Sequence, residues 1–272
     1  MLVLKLGLTP ILIAAASLAA RRWGPSIGGW IVALPLTSGP VLFFLAVDHG
    51  TPFAATAAVG SLAGLAAIAV FSLAYAVAGG HVAGRRGPIT GLIAGTAAFG
   101  LVGAALQPIV ETSVWLVAAA VVIAIFGALR LLPTGQRLRT EVAHPWWDLP
   151  ARMVVATSLV LGLTSVAPLL GPRVSGLVAT FPVYLSVLTA FAHRQAGIGA
   201  AVGVLRGLLT GMLAAAAFFL VVDFTLEPAG IGPAFAAALV SALTVQAVAL
   251  GVLRRPSRSA EAAKRALPLP EL

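Results

Sequence analysis

The sequence predicts an all-α polytopic membrane protein with nine transmembrane helices, arranged as two inverted four-helix repeats joined by a linker helix. Three observations favour this fold. Of the 272 residues, 60% are hydrophobic and only 9% are charged, whereas a soluble domain is about one quarter charged. The apolar residues form long continuous runs. A stretch that begins at Gly24 recurs from Gly171 onwards.

Nine apolar runs are each long enough for a helix that crosses the ~30 Å hydrocarbon core of a bilayer. Because the runs are continuous, they do not match the alternating strands of a membrane barrel. They cover residues 2–20, 29–48, 52–78, 89–107, 109–132, 151–170, 176–193, 197–222 and 230–253.

The basic residues predict the orientation of these helices. With the N-terminus outside, only Lys5 and Arg173 fall on the outer side, and fourteen basic residues fall on the cytoplasmic side. Cytoplasmic loops of membrane proteins carry such an excess, so the net charge of +9 needs no nucleic acid. We therefore expect a bacterial inner-membrane protein with a cytoplasmic C-terminus. The fourteen are Arg21, Arg22, Arg85, Arg86, Arg130, Arg137, Arg139, Arg152, Arg194, Arg254, Arg255, Arg258, Lys264 and Arg265.

The internal repeat aligns residues 24–73 with 171–220 without a gap, and fourteen of the fifty positions are identical. One helix separates the repeats, so the second repeat enters the membrane from the opposite side. Inverted repeats of this kind are typical of alternating-access transporters. The predicted parts are a first repeat (1–108), a linker helix (109–132), a cytoplasmic loop (133–150), a second repeat (151–254) and a cytoplasmic tail (255–272).

The second helix of each repeat contains a proline near its middle, Pro35 or Pro182. Proline removes a backbone donor and crowds the preceding turn, and Gly39 and Pro40 strengthen the first break. Broken helices at matching places in two repeats indicate a transporter site. The alternative is a simple kink packed against neighbouring helices. The hydroxyls expected to face the solute belong to Thr37, Ser38, Thr180, Tyr184 and Ser186.

Arg206 is the one charge predicted to lie deep in a helix. It follows Gly197 by nine positions, about 14 Å at 1.5 Å per residue. A guanidinium at that depth is a candidate binding group for a carboxylate or phosphate. The alternative is a structural arginine satisfied by carbonyls of a broken helix or by Gln246, which is itself a weaker candidate for solute binding.

Other chemistry has little support in the sequence. The chain contains no cysteine and four scattered histidines, and it has no nucleotide-binding or hydrolase motif. We expect no catalytic residue, no metal and no cofactor, and hence no enzyme. His193 falls at the end of an apolar run, where a solvated side chain is expected.

The segment SGLVATFP at 175–182, with Gly197 and Arg206 after it, resembles the GlpM-like family of small bacterial membrane proteins. The similarity covers roughly residues 169–216. It implies that this chain is a fused, inverted double version of a four-helix unit. The family is associated with exopolysaccharide (alginate) production. This association does not identify a substrate for this chain.

The predicted function is secondary transport of a small, anionic organic solute by movement of one repeat against the other. Two alternatives stay open at the level of the sequence. One is a membrane scaffold or subunit of an envelope or exopolysaccharide biogenesis complex, without transport. The other is a flippase for a lipid-linked anion. The expected partners are the solute and the lipid bilayer, with no nucleic acid, and a homo-oligomer is left open.

Overall fold

The computed structural model describes residues 2–35, 38–110, 112–133, 146–166 and 181–254, and every regular element in these ranges is an α-helix. In chain order the helices are α1 (Leu2–Trp23), α2 (Pro25–Val32), α3 (Ser38–His49), α4 (Thr51–His81), α5 (Arg86–Val110), α6 (Val114–Leu131), α7 (Asp148–Val166), α8 (Val183–Ala229) and α9 (Ile231–Arg254). Five of them, α4, α5, α6, α8 and α9, are long and apolar enough to cross a membrane. The prediction of a helical fold is thus confirmed, and the five long apolar helices are consistent with a multi-pass membrane protein. The count of nine spans and the layout of two inverted repeats stay predictions.

Several boundaries differ from the apolar runs. The run 29–48 is divided between α2 and α3, and α2, with eight residues, is only about 12 Å long. The helix predicted over 109–132 was placed to start too early. The preceding helix, α5, continues through Pro108 to Val110, and α6 starts only at Val114. Pro108 therefore lies inside the last turn of α5, which continues two residues past it.

Single glycines connect four pairs of helical segments. Each has φ between 78° and 98° with ψ near 180°, a backbone conformation that is essentially restricted to glycine. In α8 this glycine lies inside the element and separates residues 183–196 from 198–229. These four pairs of segments are therefore joined without an intervening loop. The four are Gly24, Gly50, Gly197 and Gly230.

The helices α4 and α8 form the centre of the molecule. Of their most apolar stretches, 61% and 67% of the residues are buried, against 22% in α5, α6 and α9. The exposed faces of the outer helices carry large apolar side chains such as Ile93, Ile123 and Val240, as expected for surfaces in contact with lipid. The core thus lies along α4 and α8.

Close backbone contact joins α2 to α8. A Cβ atom on Gly29 would overlap the carbonyl of Val204, and one on Gly207 would overlap the carbonyl of Ser26. Small residues allow such approach between helices in membranes. This contact, hereafter the α2–α8 seam, joins residues 26–29 to residues 204–207, which belong to the predicted first and second repeats.

Candidate functional site

At the helix break before Pro35, one backbone carbonyl lacks its usual hydrogen bond within the helix. A side chain from α9, the last helix, donates a hydrogen bond to it instead. Proline has no N–H, and the amide of Leu34 bonds to the Ile31 carbonyl at 3.2 Å instead of reaching the carbonyl one residue earlier. That carbonyl, of Trp30, accepts a 2.9 Å hydrogen bond from Nε2 of Gln246 in α9. The sequence offered Gln246 only as a weak candidate, yet its side chain links α9 to the broken helix.

Two further polar atoms at this break are buried and have no hydrogen-bond partner among the described residues. They are Oε1 of Gln246 and Nε1 of Trp30. An acceptor and a donor left open beside a broken helix form a site that a polar solute could complete, because buried polar groups are otherwise paired. Ser38, half-buried, begins α3 on the other side of the break, and Gly39 and Pro40 lie in its first turn. Thr37 lies outside the described residues.

The second proline, Pro182, precedes α8 and is its N-cap residue. Its carbonyl accepts a 2.9 Å bond from the Ser186 hydroxyl, so this hydroxyl is engaged within its own helix. Tyr184 is half-buried in the first turn of α8, and Thr180 lies outside the described residues. One turn further on, Oγ1 of Thr189 is buried without a partner in the described part of the chain, a candidate that the sequence analysis missed.

Aromatic side chains pack beside both breaks. Phe71 and Phe218 occupy the same position of the two repeats. Phe218 lies next to Gly39, and a Cβ atom on this glycine would be 3.5 Å from its ring. Phe71 makes an edge contact with Phe181, with ring centroids 6.3 Å apart, and Phe99 of α5 packs on Phe181 at 5.6 Å. Each break is thus packed against a helix of the other predicted repeat.

Arg206 does not lie at either break. Its Nη2 donates to the carbonyl of Leu132 at 2.6 Å, and Nε and Nη2 also approach the Pro133 carbonyl, at 3.4 and 3.3 Å. These carbonyls end α6, where helical carbonyls lack intrahelical partners and attract cations. The long side chain therefore reaches the end of α6, although its Cα lies deeper. Its bonds are those of a structural arginine, and a role in solute binding stays a prediction.

A buried charge cluster joins the end of α1 to the start of α7 and to α8 just before Gly197. Asp148 is fully buried, and its carboxylate lies 2.6 Å from Nη2 of Arg21 and 3.1 Å from Nε of Arg152. Gln195 donates to the same carboxylate and accepts a 2.8 Å bond from Arg152. We call these four residues the Asp148 cluster. The sequence analysis missed it, although an acid in an otherwise basic loop, with an arginine one turn later, was a signal.

The cluster favours the charged form of its acid. Burial alone would raise the pKa of Asp148, but the charge of Arg152 and the hydrogen bonds from Arg21, Arg152 and Gln195 act in the opposite direction. The balance keeps the pKa of this carboxyl below its usual range. The cluster is therefore ionised at neutral pH and holds α1 against α7 and α8.

His193 is not solvated, contrary to the sequence-based expectation. Its side chain is only 8% exposed, and its Nδ1 lies 3.2 Å from the hydroxyl of Tyr75 in α4. Glycines make room for the ring, because a Cβ on Gly79 or Gly87 would approach it to 3.2 or 3.1 Å. The absence of a side chain at these two positions therefore leaves space for the His193 ring in the interface of α4, α5 and α8.

A cavity of about 400 Å³ opens beside His193. It is lined by residues of the segments 79–85 and 193–198, that is, by the end of α4, the α4–α5 turn and the Gly197 region of α8. Arg85 and Arg194 contribute to the lining, and no Asp or Glu does. We call it the α4–α5 pocket.

Comparisons with family models, curated proteins and solved structures find no match for this chain. The resemblance to GlpM-like proteins stays a prediction, and residues 175–180 of its motif lie outside the described part of the chain.

Proposed function

We propose that this protein is a secondary transporter that moves a small, anionic organic solute by alternating access between two inverted repeats. The observation that carries the proposal is the reciprocal contact at the two breaks. Gln246, from the last helix of the second repeat, bonds to the break of the first repeat at Trp30. Phe99, at the aligned position of the first repeat, packs on Phe181 beside the second break.

Backbone conformation supports the same repeat. Gly50 and Gly197 are aligned by the 147-residue offset. Their angles are nearly the same, φ 89° and ψ 165° for Gly50, φ 78° and ψ −179° for Gly197. Because glycine alone tolerates this conformation, the agreement supports equivalent connections in the two halves. Sites formed by broken helices between such halves hold the solute in alternating-access carriers.

The Asp148 cluster supplies a contact that movement of the repeats would have to break. Arg21 belongs to the first predicted repeat, and Arg152 and Gln195 belong to the second, with Asp148, the first residue of α7, just before it. In the proposed cycle the cluster closes the arginine-rich side in the described state. It opens when the repeats separate there and expose the break to the cytoplasm.

The chain contains no cysteine, so single-cysteine variants test alternating access without knowledge of the solute. We expect Ser38→Cys, placed at the first break, to react with a membrane-impermeant maleimide both in right-side-out and in inverted vesicles. Ser72→Cys is the matched control, because Ser72 is fully buried in α4 and bonded to the Ile68 carbonyl. It should react from neither side.

Labelling of Ser38→Cys from one side only would contradict alternating access. Labelling from neither side would favour the scaffold alternative. If the variant instead reacts with a maleimide that enters from the bilayer, the flippase alternative gains support. Saturable uptake of a small organic anion such as succinate into proteoliposomes would support the anionic class.

We also propose the orientation with the N-terminus outside and the C-terminus in the cytoplasm of an inner membrane. Cysteines at Ser113, before α6, and Ser257, in the tail, should then label from opposite faces. Labelling from the same face would contradict an odd number of spans and with it the inversion of the repeats.

A further inference from the structure

The α4–α5 pocket has a positive lining without a counter-charge. Arg85 and Arg194 face it, and neither forms a hydrogen bond or ion pair with another residue that the structure describes. Elsewhere in the described ranges, Arg21 and Arg152 bind a carboxylate and Arg206 binds carbonyls. Arg22, Arg86 and Arg130 likewise form no hydrogen bond or ion pair with a described residue, but they do not line this pocket, where two such guanidiniums face one cavity.

The shape of the pocket depends on glycine. Gly80, Gly84 and Gly197 line it, and no atom lies within 4 Å of the position of a Cβ on Gly84 or Gly197. The backbone is therefore open to a ligand, and the buried ring of His193 closes the inner side. A volume of about 400 Å³ lies in the range of small-molecule sites.

We infer that the α4–α5 pocket is a binding site for a small carboxylate or phosphate group, held by Arg85 and Arg194 beside His193. Guanidinium groups bind such anions with paired, charge-assisted hydrogen bonds. In the proposed carrier, this pocket and not Arg206 would bind the anionic group of the substrate. To that extent the inference rests on the proposed function. The same group could come from a free solute or from an anionic lipid headgroup.

The test uses the variant Ala83→Cys, because Ala83 is exposed and lines the pocket. In the purified protein, we measure how fast an anionic methanethiosulfonate modifies this cysteine. Inorganic phosphate and succinate should slow the reaction with saturation, and sodium chloride at equal ionic strength should not. This assay measures binding and not transport. Absence of protection would therefore contradict the binding site without contradicting transport, and absence of uptake would contradict transport without contradicting the binding site.

Arg85→Gln should weaken protection by phosphate about tenfold, since it removes a charge-assisted bond. Arg86→Gln is the matched control: it removes the same charge one residue away, from an exposed side chain that does not line the pocket. It should change protection less than twofold. Gly80→Leu should abolish protection by filling the pocket, without a change of charge.

The two sources of the anion are distinguished by lipid. Protection by phosphate in detergent and in phosphatidylcholine nanodiscs supports a free solute. If only phosphatidylglycerol nanodiscs protect the cysteine, the site binds a lipid headgroup through the same chemistry. Equal effects of Arg85→Gln and Arg86→Gln, or equal protection by chloride, would overturn the inference, because general surface charge would then explain the data.

Discussion

Removal of the Asp148 carboxylate should be the most damaging single change at the arginine-rich end. Asp148→Ala leaves Arg152, whose residue is only 4% exposed, with Gln195 as its remaining partner. Breaking a buried ion pair by removing one member costs about 3–5 kcal/mol. Arg21 adds little to this cost, because its side chain is 26% exposed and can turn towards water.

A double substitution sharpens this prediction. In Asp148→Ala/Arg152→Met no charge is left buried, and replacing both members of a buried pair by apolar groups is often nearly neutral. We therefore expect the double variant to be more stable than Asp148→Ala alone. The measurement is the free energy of unfolding in mixed micelles, followed by circular dichroism during titration with a denaturing detergent.

Glu227→Gln is the matched control for the loss of one negative charge. Glu227 is exposed at the end of α8, so its substitution should change stability by no more than about 0.5 kcal/mol. If Asp148→Ala costs no more than this control, or if the two substitutions at 148 and 152 simply add, the account of the cluster as a buried, coupled network is wrong.

Three further outcomes are expected. Because the pKa of Asp148 is lowered in the folded state, its contribution to stability is present above its unfolded pKa of about 3.9; it is lost as the pH falls through the folded value, so acid unfolding curves of wild type and Asp148→Asn should begin to converge only below about pH 4. Gln246→Leu leaves the Trp30 carbonyl unpaired and should lower the free energy of unfolding by about 1–3 kcal/mol; an unchanged value would show that the bond to α9 is dispensable. Gly207→Ala should destabilise by about 1–3 kcal/mol or more through backbone overlap, whereas Gly60→Ala, at the aligned position with no atom within 4 Å of its Cβ, should be tolerated in the same thermal-stability assay.

The sequence predicted those features that depend on local chemistry. Continuous apolar runs predicted membrane-spanning helices, and the proline at 35 predicted where a helix would stop. Proline acts on the bonds of its own turn, so its effect can be deduced without the fold. The glycines at 24, 50, 197 and 230 also lie close to the predicted boundaries between runs.

The sequence did not predict which side chains would contact each other between helices. Nothing in the pattern states that Gln246 would reach Trp30, 216 positions away, or that Arg206 would bond to the end of α6. Depth along a helix locates a Cα atom, whereas the polar end of a long side chain can bond to a partner at a different depth. The same reasoning explains His193, for which the helix-end position predicted solvation although its partner Tyr75 lies in another helix.

The one-glycine connections limit how this molecule can move. A loop of several residues would let one helix tilt while its neighbour stayed still, but a join at Gly24 or Gly50 has no slack to absorb a displacement. A rotation of α3 must therefore change the orientation of α4 as well, because only Gly50 separates them. The segments joined in this way are expected to move together, about the α2–α8 seam where the two backbones are in contact.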